Sequence, residues 1–146
     1  MCIRDRIRSG WDSSSINAIE FAKMAEQAGA AAITVHCRTK EQGYTFPVDW
    51  SIIGKVKKAV HIPVIGNGGI RSAFDAVQMY AQTGCDLVMV GMATLGNPFL
   101  FRDIKVLLEN AVATPPPSDE EKLDMLLYHA EQICFYKGES LSLIHI

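Results

Sequence analysis

The chain has 146 residues, 49% of them hydrophobic and 21% charged, with a mean hydropathy of +0.12. This is a globular composition and excludes an intrinsically disordered chain. With 14 Lys and Arg against 16 Asp and Glu, the formal net charge is −2, which excludes a polybasic protein, so any nucleic-acid contact requires a local basic face.

No apolar run approaches the roughly 20 residues that span a bilayer, and the first ten residues are charged where a signal peptide is apolar. Membrane insertion and export are therefore not expected. Cys2, Cys37, Cys85 and Cys134 show no CxxC spacing, which speaks against a zinc ribbon, any other metal site or a disulfide framework. A reducing, cytoplasmic compartment fits that usage. A complete (β/α)8 barrel takes about 250 residues, so a barrel signature in this length covers only part of one.

In chain order, a strand end is expected near residues 3–8, and Asn17 to Gln27 carries the apolar spacing of a helix, with Ser13 to Ser15 as N-cap hydroxyls and Gly29 as its end. Ala31 to Val35 reads as a buried strand, and residues 36–50 as a long polar loop of the kind that is usually functional or disordered. A helix over residues 51–60, a strand at 62–65 and the glycine turn GNGGI (Gly66 to Ile70) follow. Ser72 is placed to cap a helix reaching Thr83. Asp86 to Val90 is a third buried strand, Gly91 to Gly96 a second turn, and Pro98 suits the first position of a helix to Ala111. Strand starts near residues 31, 62 and 86 have the spacing of βα units. Continuous apolar strands, each followed by a helix, predict a parallel sheet covered by helices, with every strand's carboxyl end on one face. Beyond the stiff TPPPS segment (Thr114 to Ser118), residues 119–136 read as one amphipathic helix opening a second, helical region.

The two glycine turns each follow a strand and precede a helix, so their backbone N–H groups converge where an anion, most simply a phosphate monoester, would sit. Glycines that merely make tight turns are the alternative. Neither turn matches GxGxxG or GxxxxGK[ST], which disfavours a dinucleotide fingerprint and a P-loop. His36 lies at a strand's carboxyl end, as a ligand-facing side chain or as hydrogen-bonded structure. Arg38, Lys40, Arg71 and Arg102 fall on the same face, either as solvated charges or as a basic rim for a phosphate-rich partner. His36 and Cys37 are neighbours, but adjacent strand residues point to opposite faces, so an activated Cys/His pair is not expected. Cys85 and Cys134 read as buried small residues. Asp12 reads as ordering the loop after Trp11, and Asp12 and Asp49 have no paired-carboxylate logic.

The segments IRSGWD (Ile7 to Asp12), AGAAAITVHCRTKEQGY (Ala28 to Tyr44), DW (Asp49, Trp50), IPVIGNGGI (Ile62 to Ile70), TGCDLVMVG (Thr83 to Gly91) and LGNPFLFR (Leu95 to Arg102) together resemble the bacterial tRNA-dihydrouridine synthases. The resemblance implies a partial (β/α)8 TIM barrel, about strands 5 to 8, that binds flavin mononucleotide (FMN). Residues 1–112 would form this half, 113–118 a linker and 119–146 the start of a helical tRNA-binding domain. It further implies a parent enzyme in which NADPH reduces the flavin, and the flavin passes hydride to C6 of a uridine flipped out of tRNA.

By the same resemblance Asn67, Gly68 and Gly69 hold the flavin phosphate and ribityl chain, and Gly91 with Met92 forms the second phosphate turn. His36 stands on the flavin and uracil side, and Arg38 and Arg102 on the tRNA-facing rim. The family's proton-donating cysteine belongs to the earlier half of the barrel, so no catalytic residue is expected here and the isolated chain is expected to be inactive. Arg6 occupies a flavin-contact position where the family usually has lysine, a non-conservative exchange. Gly69 stands for a usual Asp and Met92 for a usual Arg, which leaves backbone contacts but weakens phosphate affinity. The termini MCIRDR and SLSLIHI look foreign to the pattern. An open half-barrel is also expected to self-associate through its bare edges. Two other readings share the turns: a different FMN- or phosphate-binding barrel, such as a dihydroorotate dehydrogenase-like oxidoreductase or a sugar-phosphate isomerase, and a non-catalytic half-barrel that binds phosphate or RNA.

Overall fold

A computed structural model describes residues 6–43 and 48–137. The residues expected to begin the first strand (3–5), part of the long loop (44–47) and the terminal SLSLIHI lie outside the described residues. The chain divides into two compact units, Met1–Ala113 and Thr114–Ile146.

In the first unit, β1 (Arg6–Arg8), α1 (Ala18–Gln27), β2 (Ile33–His36), α2 (Ser51–Ala59), β3 (Val64–Asn67), α3 (Ala73–Thr83), β4 (Leu87–Met89), a single 3-10 turn (Met92–Thr94) and α4 (Leu100–Asn110) follow one another. The four strands are parallel and lie in sequence order, β1-β2-β3-β4. This is the architecture of a partial (β/α)8 barrel, with four consecutive βα units.

The ladder defines two faces. Ile7, Val35, Gly66 and Val88 are in register and face the helices, where Val35 joins Ala18 and Ala22 of α1, Ile53 and Val56 of α2, Ala76 and Met79 of α3 and Ile104 of α4 in one buried core. Gly66 is bare because a Cβ there would lie 2.5 Å from Met79 Sδ, so α3 packs directly onto the strand. Alternation puts Arg6, Thr34, Ile65 and Leu87 on the other face, with Arg8, His36, Asn67 and Met89 one layer further along. That face is open: Leu87 is 54% exposed. Among the described residues, the outer edges of β1 and β4 have no ladder partner.

Two carboxylates brace β3 at its amino end. Asp86 accepts from Val64 N and Lys57 Nζ at 2.8 and 2.9 Å, and Glu26 accepts from His61 N and Ile62 N at 2.6 and 3.0 Å.

Several local expectations need correction. The hydroxyls of Ser14 and Ser15 do not cap α1; they donate to Asp12 Oδ1 at 2.7 and 2.9 Å, so Asp12 orders the loop as expected. The apolar runs slide toward their carboxyl ends, so that His36 and Asn67 close β2 and β3 instead of opening loops. Strand β1 is not a continuous apolar run but Arg-Ile-Arg, as suits an edge. Pro98 precedes the N-cap Phe99 of α4 and is not its first residue. The Ser72 capping box of α3 is present, closed by Asp75. In the second unit, α5 (Asp119–Lys137) is a continuous helix, opened by a reciprocal Ser118–Glu121 cap. It is not amphipathic in the expected sense, since Leu123, Leu126 and Leu127 are exposed and so are Tyr128 and Phe135. Cys85 is buried as expected, whereas Cys134 is only partly so.

Candidate functional site

Parallel strands deliver their carboxyl ends to one rim, and there a cavity of about 470 Å³ opens between the turns after β3 and β4. This lies within the range of about 300–1,000 Å³ usual for small-molecule sites. One wall is Gly68, Gly69 and Ile70; the other is Gly91, Met92 and Ala93; Arg6, His36, Asn67 and Met89 form the floor together with Arg38, which is buried and not on the expected rim, and Arg71 stands exposed at the rim. The structure thus brings together His36, Arg38, Asn67, Gly68, Gly69, Gly91, Met92 and Arg6. Arg102 is not among the lining residues; its guanidinium pairs with Asp103 and lies 5.1 Å from the centroid of the Phe99 ring.

The glycine turn is bare for steric reasons. Gly68 and Gly69 have φ of +110° and +78°, values L-residues rarely adopt. A Cβ on Gly68 would lie 2.7 Å from Cys37 Sγ and 3.3 Å from His36 Cε1, and one on Gly69 2.5 Å from Val48 Cγ2. Trp50 Nε1 holds the turn from outside by donating to Gly68 O at 2.9 Å. Sequence reasoning missed that anchor, although an aromatic N–H just ahead of α2 is a signal for it.

Asn67 is committed to the protein itself. Its Oδ1 accepts from Arg6 Nη1 at 3.1 Å and its Nδ2 donates to the Met89 carbonyl at 2.7 Å, so one amide ties together three strands.

His36 Nδ1 accepts from Arg38 N at 3.2 Å, which places the ring proton on Nε2. Burial, reinforced by the positive charges of Arg8, Arg6 and Arg38, lowers its pKa to about 4. The ring therefore offers the cavity a neutral N–H donor. Burial pushes the Cys37 thiol up to about 11, so it stays protonated. Both Cys37 and His36 approach Gly68, and among the described residues no hydrogen bond joins the thiol to the imidazole.

The chemistry of the lining is one-sided. It contains three arginines and no carboxylate, although the whole chain carries a net charge of −2. Two bare turns, three cations and the apolar patches of Ile70, Met89, Met92 and Ala93 suit a ligand with an anionic end and a flat apolar body. Among the described residues, no group of three His, Cys, Asp or Glu side chains is arranged to hold a metal, and no helix is long and apolar enough to cross a membrane.

A family profile described as Dihydrouridine synthase (Dus) matches residues 3–146. The chain belongs to the dihydrouridine synthase family. It is 42% identical over 135 residues to the probable tRNA-dihydrouridine synthase of Rickettsia bellii, covering 92% of this chain and 41% of that protein. Against tRNA-dihydrouridine synthase B of Xanthomonas axonopodis pv. citri the identity is 38% over 134 residues, 92% of this chain and 40% of the relative. Against the probable tRNA-dihydrouridine synthase 1 of a Synechocystis strain it is 40% over 134 residues, 92% and 38%. The chain thus spans about two fifths of the length of the Dus relatives it matches. Among solved structures, wild-type GGGPS from Thermoplasma volcanium superposes with a TM-score of 0.48 at 20% identity, over 68% of this chain and 39% of that one.

Proposed function

We propose that this chain forms the flavin-phosphate side and the adjoining tRNA-facing rim of a cytoplasmic tRNA-dihydrouridine synthase. The observation that carries the reading is the cavity between two bare glycine turns, with three arginines and no carboxylate in its lining. When bound there, FMN reduced by NADPH supplies hydride to C6 of a tRNA uridine.

The chain's own residues bind and orient. Gly68 and Gly69 let the backbone approach the phosphate, and Gly91 with Met92 closes the opposite side. Arg71, exposed at the rim, faces the phosphate-rich partner, while Arg38, buried in the cavity wall, lends its charge to the site from within. Arg102, turned toward Asp103 and Phe99, is a more distant member of that rim. Asn67 acts mainly by locking β1, β3 and β4 in register, and Arg6 reaches the site through it. His36 offers its Nε2–H as a donor whose charge state is constant near neutral pH. Cys37 belongs to the strand segment that matches the family here, so the proton-donating cysteine is assigned to the earlier half of the barrel and not to it.

The test supplies the protein, expressed from its native coding sequence, with FMN, NADPH and unmodified tRNA, and follows NADPH oxidation together with the gain of two hydrogens on uridine by mass spectrometry. Turnover that depends on tRNA is expected of the full-length enzyme to which this chain contributes, whereas the 146-residue chain alone is expected to show none. Reoxidation by a small carbonyl substrate in place of tRNA would show a different barrel oxidoreductase. Salt-dependent tRNA binding with no flavin bound would show a non-catalytic binding module.

A further inference from the structure

A second cavity, about 350 Å³, lies beside the loop after β1, lined by Ile7, Arg8, Trp11, Phe21 and Lys40 among others. Trp11 is 57% exposed, yet its loop is held firmly. Lys40 N and Glu41 N donate to the carbonyls of Gly10 and Trp11, both at 3.0 Å. Gly10 pairs with Ile16, and Asp12 Oδ1 accepts from the amides of Ser14 and Ser15 at 2.8 and 2.9 Å. A side chain at Gly10 would collide with the Ser15 carbonyl, so the tight approach is built into the sequence. Lys40 Nζ stands 3.8 Å from the centroid of the Trp11 ring.

We propose that this loop is a base-stacking platform for a single-stranded RNA nucleotide next to the one that enters the main cavity; the inference rests on the tRNA reading above. Arg8 connects the two places, since it is in register with His36 and lines the second cavity. The charges decide against an apolar protein segment as the occupant. Arg8 Nη1 donates to Thr39 O at 2.8 Å and Lys40 lies over one face of the Trp11 ring, but among the described residues neither has a carboxylate within ion-pair distance, so an apolar helix laid over them would bury two cations without a counter-charge. A phosphodiester neutralises them while its base stacks on the indole, the recognition mode of sequence-tolerant single-strand binders.

The probes are an unmodified tRNA transcript and a uridine-rich single-stranded oligonucleotide, read by tryptophan fluorescence and by the affinity as a function of salt. Binding is expected to quench the indole emission; Trp11→Ala should weaken it about tenfold, Trp11→Phe should keep most of it, and Lys40→Gln should reduce the salt slope by about one. Where Trp11→Ala fails to fold, Trp11→Leu, which keeps an apolar side chain but removes the aromatic ring, takes its place as the readout of stacking, and Lys40→Gln reads the phosphate contact separately. If the native protein binds RNA and both the Trp11→Ala and Lys40→Gln variants bind like it, the platform is refuted while the tRNA reading stands. If the native protein binds neither probe, that reading fails and takes the platform with it. If Trp11 becomes shielded from acrylamide as protein concentration rises without RNA, another copy of the chain covers the ring, and the RNA assignment is overturned.

Discussion

His36 is held neutral by burial and by the cations around it, and this has a signed consequence for stability. Its folded pKa of about 4 lies below the ordinary value near 6.5. Between these values the unfolded chain binds the extra proton, so stability falls as the pH drops through that window, by up to about 1.4 kcal/mol per pH unit, and levels off once the folded ring is also protonated. Urea unfolding at a series of pH values should show this slope in the native protein and lose it in His36→Asn. A second prediction concerns the turn. Gly69→Asp should destabilise this chain by about 1–3 kcal/mol, because the side chain meets Val48 at a positive φ. Val48→Ala should recover part of the loss in a double-mutant cycle. At this scale the sequence was informative about which residues gather at the cavity and poor about what holds them. The glycines and His36 stand out because turn chemistry and strand ends are local signals. The bonds from Arg6 to Asn67 and from Trp50 to Gly68 join residues 61 and 18 positions apart, and no local pattern records such a partnership.

Among the elements, helix α3 shows the closest agreement between local code and structure. Its Ser72–Asp75 box and the left-handed C-cap Gly84 are both written within a few residues of the helix ends. Ser72→Ala should cost about 1 kcal/mol, measured by thermal or denaturant unfolding. The strands were legible in number and order but displaced, because their final residues are polar. His36 and Asn67 extend β2 and β3 since their backbone groups belong to the ladder even though their side chains belong to the cavity. Asp86 was hidden for the same reason: a carboxylate at the start of an apolar strand looks like a boundary, while the structure uses it to hold Val64 and Lys57. Those bonds hold its pKa below the ordinary carboxylate range. Its contribution is therefore present above that range and is lost as pH falls through the depressed folded value. Asp86→Ala should lower stability by about 1 kcal/mol at neutral pH and reduce the acid sensitivity of unfolding.

At the scale of the molecule, the first unit is a curved sheet with helices on one side and an open face on the other. Leu87 and Met89 on that face, together with the outer edges of β1 and β4 that have no partner among the described residues, would drive self-association of the chain alone. Sedimentation velocity is expected to show concentration-dependent association, and Leu87→Lys to weaken it; a monomer at all concentrations would contradict this. The half-barrel was readable from sequence because βα spacing repeats on a scale of tens of residues, and chain length limits how many repeats fit. The environment of α5 was not readable, since its apolar side chains are distributed around the helix instead of forming one stripe.

The carboxylate braces at the amino end of β3 have a consequence for inheritance. Glu26 and Asp86 fasten the sheet at the end opposite the cavity, independently of the Asn67 lock at the cavity itself. Drift in the loops at the carboxyl end can then change what is bound without first unravelling the scaffold.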